Sequence, residues 1–229
     1  MKEYLPWHRH PFDHAIIANM EGWLSDKEAD VLYRLAASCT GKGAIIEIGS
    51  WKGKSTTCLS LGSRAGAGTH VTAIDPHTGS SEHGDVNTYA EFLENIKKNG
   101  VQDMVEPIRE YSQNVGKEWS KPVELLWIDG AHEYEFVLQD LDIWEPHLIV
   151  GGVVAFHDST MPGPWKVIED RLYKGGNYRK IGFAHGITYA IKGKATPLRN
   201  RGAMLLRDAA YGLWKIKKTV AKVRLPRWF

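Results

Sequence analysis

The stretch that decides the fold is "AIIEIGSWKGKSTTCL", residues 44–59. An apolar run breaks at Gly49, a second glycine follows at Gly53, and Lys54 and Ser55 come next. The run reads as a buried strand, and "KSTTCLSLGSRAG", residues 54–66, as the helix behind it, stopped by glycines. A turn of this kind suits a nucleotide, and its spacing says which sort. A triphosphate-binding loop places four residues between its glycines before the Lys-Ser pair, because its backbone amides wrap the phosphates. Only Ser50, Trp51 and Lys52 separate Gly49 from Gly53, so the wrap is one residue short. The dinucleotide pattern G-x-G-x-x-G is absent as well. What stands in the sequence is E-x-G-x-x-x-G-x-S: Glu47, Gly49, Gly53, Ser55.

Strand-like and helical stretches alternate outward from this point. "SDKE", residues 25–28, has the form of a capping box and opens a helix through "ADVLYRLAASC". "THVTAID", "MVEPIR", "VELLWID" and "GGVVAFHD" read as the second to fifth strands. The helices "TYAEFLENIKKNG" and "HEYEFVLQDLDIWEPHL" lie between them, and "PGPWKVIEDRLYK" follows the fifth. "YRKIGFAHGITYAIKG" reads as a closing hairpin turned at His185 and Gly186. The alternation predicts an α/β fold: a doubly wound, mostly parallel seven-stranded sheet with a C-terminal antiparallel hairpin. The second strand ends in Asp75, where an acid can accept hydrogen bonds from both hydroxyls of a ribose. The polar insertion "PHTGSSEHGDVN", residues 76–87, is long enough to suggest function.

Composition bounds the rest. At 43% hydrophobic and 24% charged, the 229 residues hold enough apolar material for a full core and too much for a disordered chain. No apolar run approaches the ~20 residues of a membrane span, and the N-terminus has no apolar signal core, which predicts a cytoplasmic protein. Cys39 and Cys58 have no metal-site spacing and read as buried reduced thiols. Residues 194–229 carry ten Lys or Arg against one acid, Asp208, so a tail of +9 leaves −7 on the rest of the chain. The expected organisation is an extension over 1–24, a catalytic domain over 25–193 and a basic tail over 194–229. Apolar residues at 204, 205, 211, 213, 214, 216, 220 and 223 loosely fit an amphipathic helix. Such a helix can pack on the acidic body or at a subunit interface, or lie on the inner face of an anionic membrane. The acidic body disfavours nucleic acid.

The glycine motif, "AIDPHTG", "LLWIDGAHEYE" and "GGVVAFHDS" together resemble the class I S-adenosylmethionine-dependent methyltransferases. Within them the resemblance is to the branch that contains sugar and macrolide O-methyltransferases and cephalosporin-hydroxylase-like proteins, and it covers roughly residues 20–192. It implies that Glu47, Gly49, Ser50, Gly53, Ser55, Asp75 and Asp129 bind S-adenosylmethionine, with Glu47 placing negative charge beneath the cationic cofactor. It also implies a divalent cation, magnesium or manganese, at Asp129, His157 and Asp158, although His157 stands where relatives carry an acid. Magnesium favours all-oxygen shells, so His157 has a second expected role as a base. The expected reaction is methyl transfer to a hydroxyl of a sugar, glycan or glycosylated small molecule, with His132 or His157 removing its proton and Asp129 and Asp158 positioning it through a metal. His77, His83 and Trp165 are expected to flank the acceptor. Two alternatives stand beside this: an oxidative enzyme of the cephalosporin-hydroxylase-like kind holding iron, and a non-catalytic nucleoside- or glycan-binding module. The resemblance further implies a homo-oligomer.

Overall fold

The computed structural model describes residues 12–80 and 84–222. The expected seven-stranded sheet is present: β1 Ala44–Ile48, β2 Val71–Ile74, β3 Val105–Ile108, β4 Val123–Ile128, β5 Leu148–Phe156, β6 Tyr178–Ala184 and β7 Ile187–Lys192. Their order across the sheet is β3-β2-β1-β4-β5-β7-β6. The first five strands run parallel, and the closing hairpin adds β7 antiparallel to β5 and β6 antiparallel to β7. The hairpin turns at His185 and Gly186, as the sequence predicts. Strands β2 and β4 are buried at every residue, as both-face coverage of a parallel sheet requires.

Helices α1 Asp26–Ala37, α2 Lys54–Ala65 and α3 Tyr89–Lys98 lie on one face of the sheet. Alternate strand residues, among them Ile45, Leu125 and Trp127, meet Leu32, Leu35 and Leu59 there. The other strand positions, including Ile46, Leu126 and Phe156, meet Val137, Leu141 and Trp144 of α5 Tyr134–Trp144. Helix α4, Ser112–Glu118, and α6, Pro162–Val167, flank α5 on that side, and π-helical turns Ile168–Tyr173 prolong α6. Helix α7, Pro197–Lys222, then packs on those turns and on β6. The N-terminal segment belongs to the core, because Phe12, Ile17, Met20 and Leu24 are buried with α1. Inside the 76–87 insertion the described residues form a two-residue ladder, Gly79–Ser80 with Gly84–Asp85. His83 and the tail position Val223 lie outside the described residues, as do the side chains of Leu213, Trp214, Ile216 and Val220.

The capping box opens α1 as expected: Ser25 donates to Glu28 Oε2 from its amide at 2.9 Å and from its hydroxyl at 2.7 Å. Glu28 Oε1 meanwhile accepts the amide of Gly186 at 2.9 Å. The cap of the first helix is thereby tied to the last hairpin, across 158 positions of sequence.

Candidate functional site

The strand order reverses direction between β1 and β4, and doubly wound sheets open a crevice at such a point. A cavity of about 750 Å³ lies there, walled by the C-terminal ends of β1, β2, β4 and β5. That volume is in the range of cofactor and small-molecule sites.

The wall made by the β1 turn is built from backbone. Gly49 has φ +83°, and a Cβ on it would stand 2.1 Å from the Asp129 carbonyl oxygen, so only glycine lets β1 and β4 end this close together. Gly53 has φ +85°, and its Cβ would press on Phe92 and Ile96 of α3 at 3.2 and 3.3 Å. Asp75 holds the turn: its Oδ2 accepts the amides of Ser50 and Trp51 at 2.9 and 2.8 Å, and its Oδ1 that of His77 at 2.6 Å. A carboxylate has about four acceptor sites, so one remains for a ribose hydroxyl. Ser50 supplies a clearer opening, because its hydroxyl is buried in the cavity wall without a partner among the described residues. Buried hydroxyls are nearly always bonded, which makes this one a fit for a polar ligand atom.

Glu47 departs from expectation. It lies beneath the cavity, fully buried, and receives hydrogen bonds from Ser55 Oγ and Thr56 Oγ1, each 2.5 Å. Burial pushes its carboxyl up to about 8 against those two hydroxyls, with the nearby Asp129 and Asp75 adding to the rise. Its bonds to Ser55 and Thr56 fasten α2 to β1, and its burial disfavours the negative charge expected beneath a cofactor. Gly53 is likewise behind the wall, whereas Gly49, Ser50, Ser55, Asp75 and Asp129 line it.

The opposite wall is built from charge. Asp129 ends β4, and His157 and Asp158 end the adjacent β5. His157 Nδ1 stands 3.0 Å from Asp129 Oδ1 and 3.2 Å from Asp158 Oδ2, while its Nε2 faces Glu28 Oε1 at 3.8 Å. Burial alone would discharge this imidazole, but the three carboxylates around it, Asp129 foremost, outweigh burial and raise it far above the ordinary histidine range. Burial pushes Asp129 up against His157, whereas His132 and His157 overcome burial at Asp158 and lower it. Glu28 is also lowered, to about 2, where bonds from His157 and Ser25 overcome its burial.

His157 thus sits behind the site with its Nδ1 turned to Asp129 and Asp158, which favour its charged form and disfavour both roles expected of it. The group able to hold a cation is Asp129, His132 and Asp158, whose ligand atoms all lie within 4.8 Å of one another. His132 Nε2 is 3.4 Å from Asp158 Oδ2, so the histidine of "DGAHE" enters where that of "FHD" was expected. Two oxygens and one nitrogen fit a divalent ion of mixed preference, though magnesium favours oxygen alone.

The remaining walls were not foreseen. Lys54, which gave the turn its phosphate-loop look, reaches the carbonyl of Gly22 at 3.3 Å. Lys52 bridges Glu21 at 2.6 Å and Glu91 at 2.9 Å, and the rings of Trp51 and Trp23 lie 5.5 Å apart. These lysines strap residues 21–24 along the cavity. Asp140 lines another wall and accepts from Ser112 Oγ; burial pushes it up to about 6 despite that bond. Trp165 does not line the cavity: Arg207 of α7 stacks on it at 3.7 Å. Arg207 also donates from Nη2 to the carbonyl of Ser159 at 3.2 Å, next to Asp158, whose φ is +41°. His77 is buried against Tyr89 and Phe92, with Nδ1 2.9 Å from Thr88 Oγ1.

Residues 46–159 match the family model described as a methyltransferase domain. Sequence similarity reaches an uncharacterized protein of Acanthamoeba polyphaga mimivirus, 26% identical over 153 residues, which cover 60% of this chain and 64% of that protein. The chain thus spans less than two thirds of that curated relative. Among solved structures, an S-adenosylhomocysteine-bound methyltransferase of Podospora anserina superposes with a TM-score of 0.61 at 16% identity, covering 81% of this chain and 90% of that one. A TDP-rhamnose 3′-O-methyltransferase of calicheamicin biosynthesis gives a TM-score of 0.54 at 17% identity, covering 72% and 77%. The chain shares the doubly wound fold of these methyltransferase structures, and the match to the methyltransferase-domain model spans both walls of the cavity.

Proposed function

We propose that this protein is an S-adenosylmethionine-dependent O-methyltransferase acting on a hydroxyl of a sugar, glycan or glycosylated small molecule. The observation that carries the reading is the juxtaposition of the glycine turn with Asp129, His132 and Asp158 across a single cavity. S-adenosylmethionine supplies a methyl group already activated as a sulfonium, so the protein must provide alignment and a deprotonated acceptor. The Ser50 hydroxyl and the Asp75 carboxylate, at the β1 turn, are the groups that hold it.

His132 takes the proton of the acceptor hydroxyl, and Asp158, 3.4 Å away, stabilises the imidazolium that results. Asp129 orients the hydroxyl, and His157 keeps Asp129 and Asp158 in place as a buried counter-charge. In the alternative arrangement Asp129, His132 and Asp158 would hold a divalent cation, which would lower the pKa of the hydroxyl in place of His132 acting as base. A sugar is supported by the aromatic rim, where Trp23, Tyr111 and Phe136 are exposed beside the cavity, and by the fold shared with the TDP-rhamnose enzyme.

The test is transfer of labelled methyl from S-adenosylmethionine to a panel of nucleotide sugars and glycosylated phenols. Each acceptor is run with EDTA, with magnesium and with manganese. Label on an oxygen of any acceptor, lost in Asp129→Ala, supports the reading; label on nitrogen, or none on any acceptor with the cofactor bound, contradicts it. EDTA sensitivity with rescue assigns the cation to the cluster, and indifference leaves His132 as sole base.

A further inference from the structure

Over residues 198–207, helix α7 is fixed on the body along one side and exposed on the other. Asn200 is buried and donates its amide to the carbonyls of Leu172 and Tyr178 at 3.0 and 2.8 Å. Arg207, seven residues on, is buried on Trp165, and Ala203 and Met204 between them pack against the core. Positions seven apart share a helix face, so these contacts set the rotation of the helix. Leu198 and Leu205 precede Asn200 and Arg207 by two residues each, which turns them about 200° round the axis, away from the body. They are 84% and 67% exposed, and their neighbour Leu206 is 73% exposed. The leucines cannot rotate inward without breaking the bonds of Asn200 and Arg207.

Charge selects the occupant. Arg199 and Arg201 are exposed on the same turns, and residues 194–229 hold ten cations against Asp208, which is itself paired with Arg207 at 2.9 Å. A second copy of this chain would bring an equally basic helix to that face, and like charges oppose such pairing. An anionic bilayer offers both halves of the match: acyl chains for leucine and headgroups for arginine and lysine. Among the described residues no helix is long and apolar enough to cross a membrane, so the geometry is that of a helix lying on the surface.

We propose that α7 docks the protein on an anionic lipid surface through Leu198, Leu205 and Leu206, with the flanking arginines on the headgroups. The arrangement is independent of the methyl-transfer reading. It also places the helix whose buried side holds the Ser159 carbonyl, beside Asp158, against the lipid.

The experiment is co-sedimentation of the full chain with phosphatidylcholine vesicles, with and without phosphatidylglycerol. The variants are the triple change Leu198→Gln, Leu205→Gln, Leu206→Gln and the double change Arg199→Gln, Arg201→Gln. Circular dichroism checks folding, and light scattering reports self-association. Binding confined to phosphatidylglycerol vesicles, weakened about tenfold or more by the triple change and less by the double, is the expected result. Equal pelleting of wild type and triple variant overturns the proposal, as does absence of vesicle binding. So does a wild-type dimer that the triple change dissociates while vesicle binding is unaltered, because the leucines would then serve a second copy.

Discussion

The two long walls of the cavity are made differently. The β1 turn is shaped by backbone: two glycines at positive φ and one aspartate gathering three amides. The facing wall is an array of side-chain charges, three carboxylates around one buried imidazole, with His132 in front. A backbone wall fails sterically when changed, whereas a wall of charges fails by leaving a buried charge unpaired. Substitutions on the two sides should therefore produce different kinds of loss.

The largest expected effect is on the charged wall. Asp129→Ala should lower turnover about a thousandfold or more, some 4 kcal/mol of barrier, in a protein that still folds and binds S-adenosylhomocysteine. Single-turnover methyl transfer measures it, and a loss under tenfold would remove Asp129 from the reaction. Next comes Gly49→Ala on the backbone wall, whose Cβ would meet the Asp129 carbonyl at 2.1 Å. A cost of about 3 kcal/mol or more in urea unfolding is expected, because neither strand end can yield without breaking the sheet. Glu28→Gln should cost about 2 kcal/mol and depress turnover as well, since it removes one carboxylate from His157 while leaving the α1 cap partly bonded.

A further effect, spread over several pH units rather than read at one pH, concerns the carboxyl beneath the backbone wall. Glu47, at 4.5 in the free chain, is raised to about 8 in the folded protein, so the native state keeps a proton that the unfolded chain releases in between. Its stabilising contribution is fully present below 4.5 and is lost as pH rises through 8. Relative to Glu47→Gln, the wild type should lose about 1.4 kcal/mol per pH unit across that window. Thermal melts of both proteins at several pH values check this, and parallel curves would show that Glu47 is charged in the fold.

This contrast also explains what the sequence could disclose. Backbone demands leave local marks, so Gly49, Gly53, the strand ends and the hairpin turn at Gly186 were legible from spacing and periodicity. The capping box of Ser25 and Glu28 was legible too, but only half of Glu28 was. The oxygen that reaches toward His157 and Gly186 depends on a contact across 158 positions, which no local pattern records. His132 and His157 both stood in view, and exchanging their roles required knowing that one ring lies behind two carboxylates and the other in front. Glu47 was read as a charge because nothing local shows that it is sealed from water. A motif singles out Lys54 and treats Lys52 only as a spacer, yet their partners Gly22 and Glu21 come from some thirty residues upstream, outside any loop-based signature. Arg207 escaped for the same reason, since a cation in a basic tail gives no sign that it stacks on Trp165.

Everything rests on the crevice between β1 and β4 being the seat of an adenosine-bearing sulfonium compound. Isothermal titration of the full chain with S-adenosylhomocysteine tests this most directly, with Ser50→Val as the comparison because it replaces a buried hydroxyl left open toward the cavity. One-to-one binding in the micromolar range, weakened about tenfold in Ser50→Val, is the predicted result. Absence of heat at millimolar ligand, from a protein shown to be folded, would contradict the account.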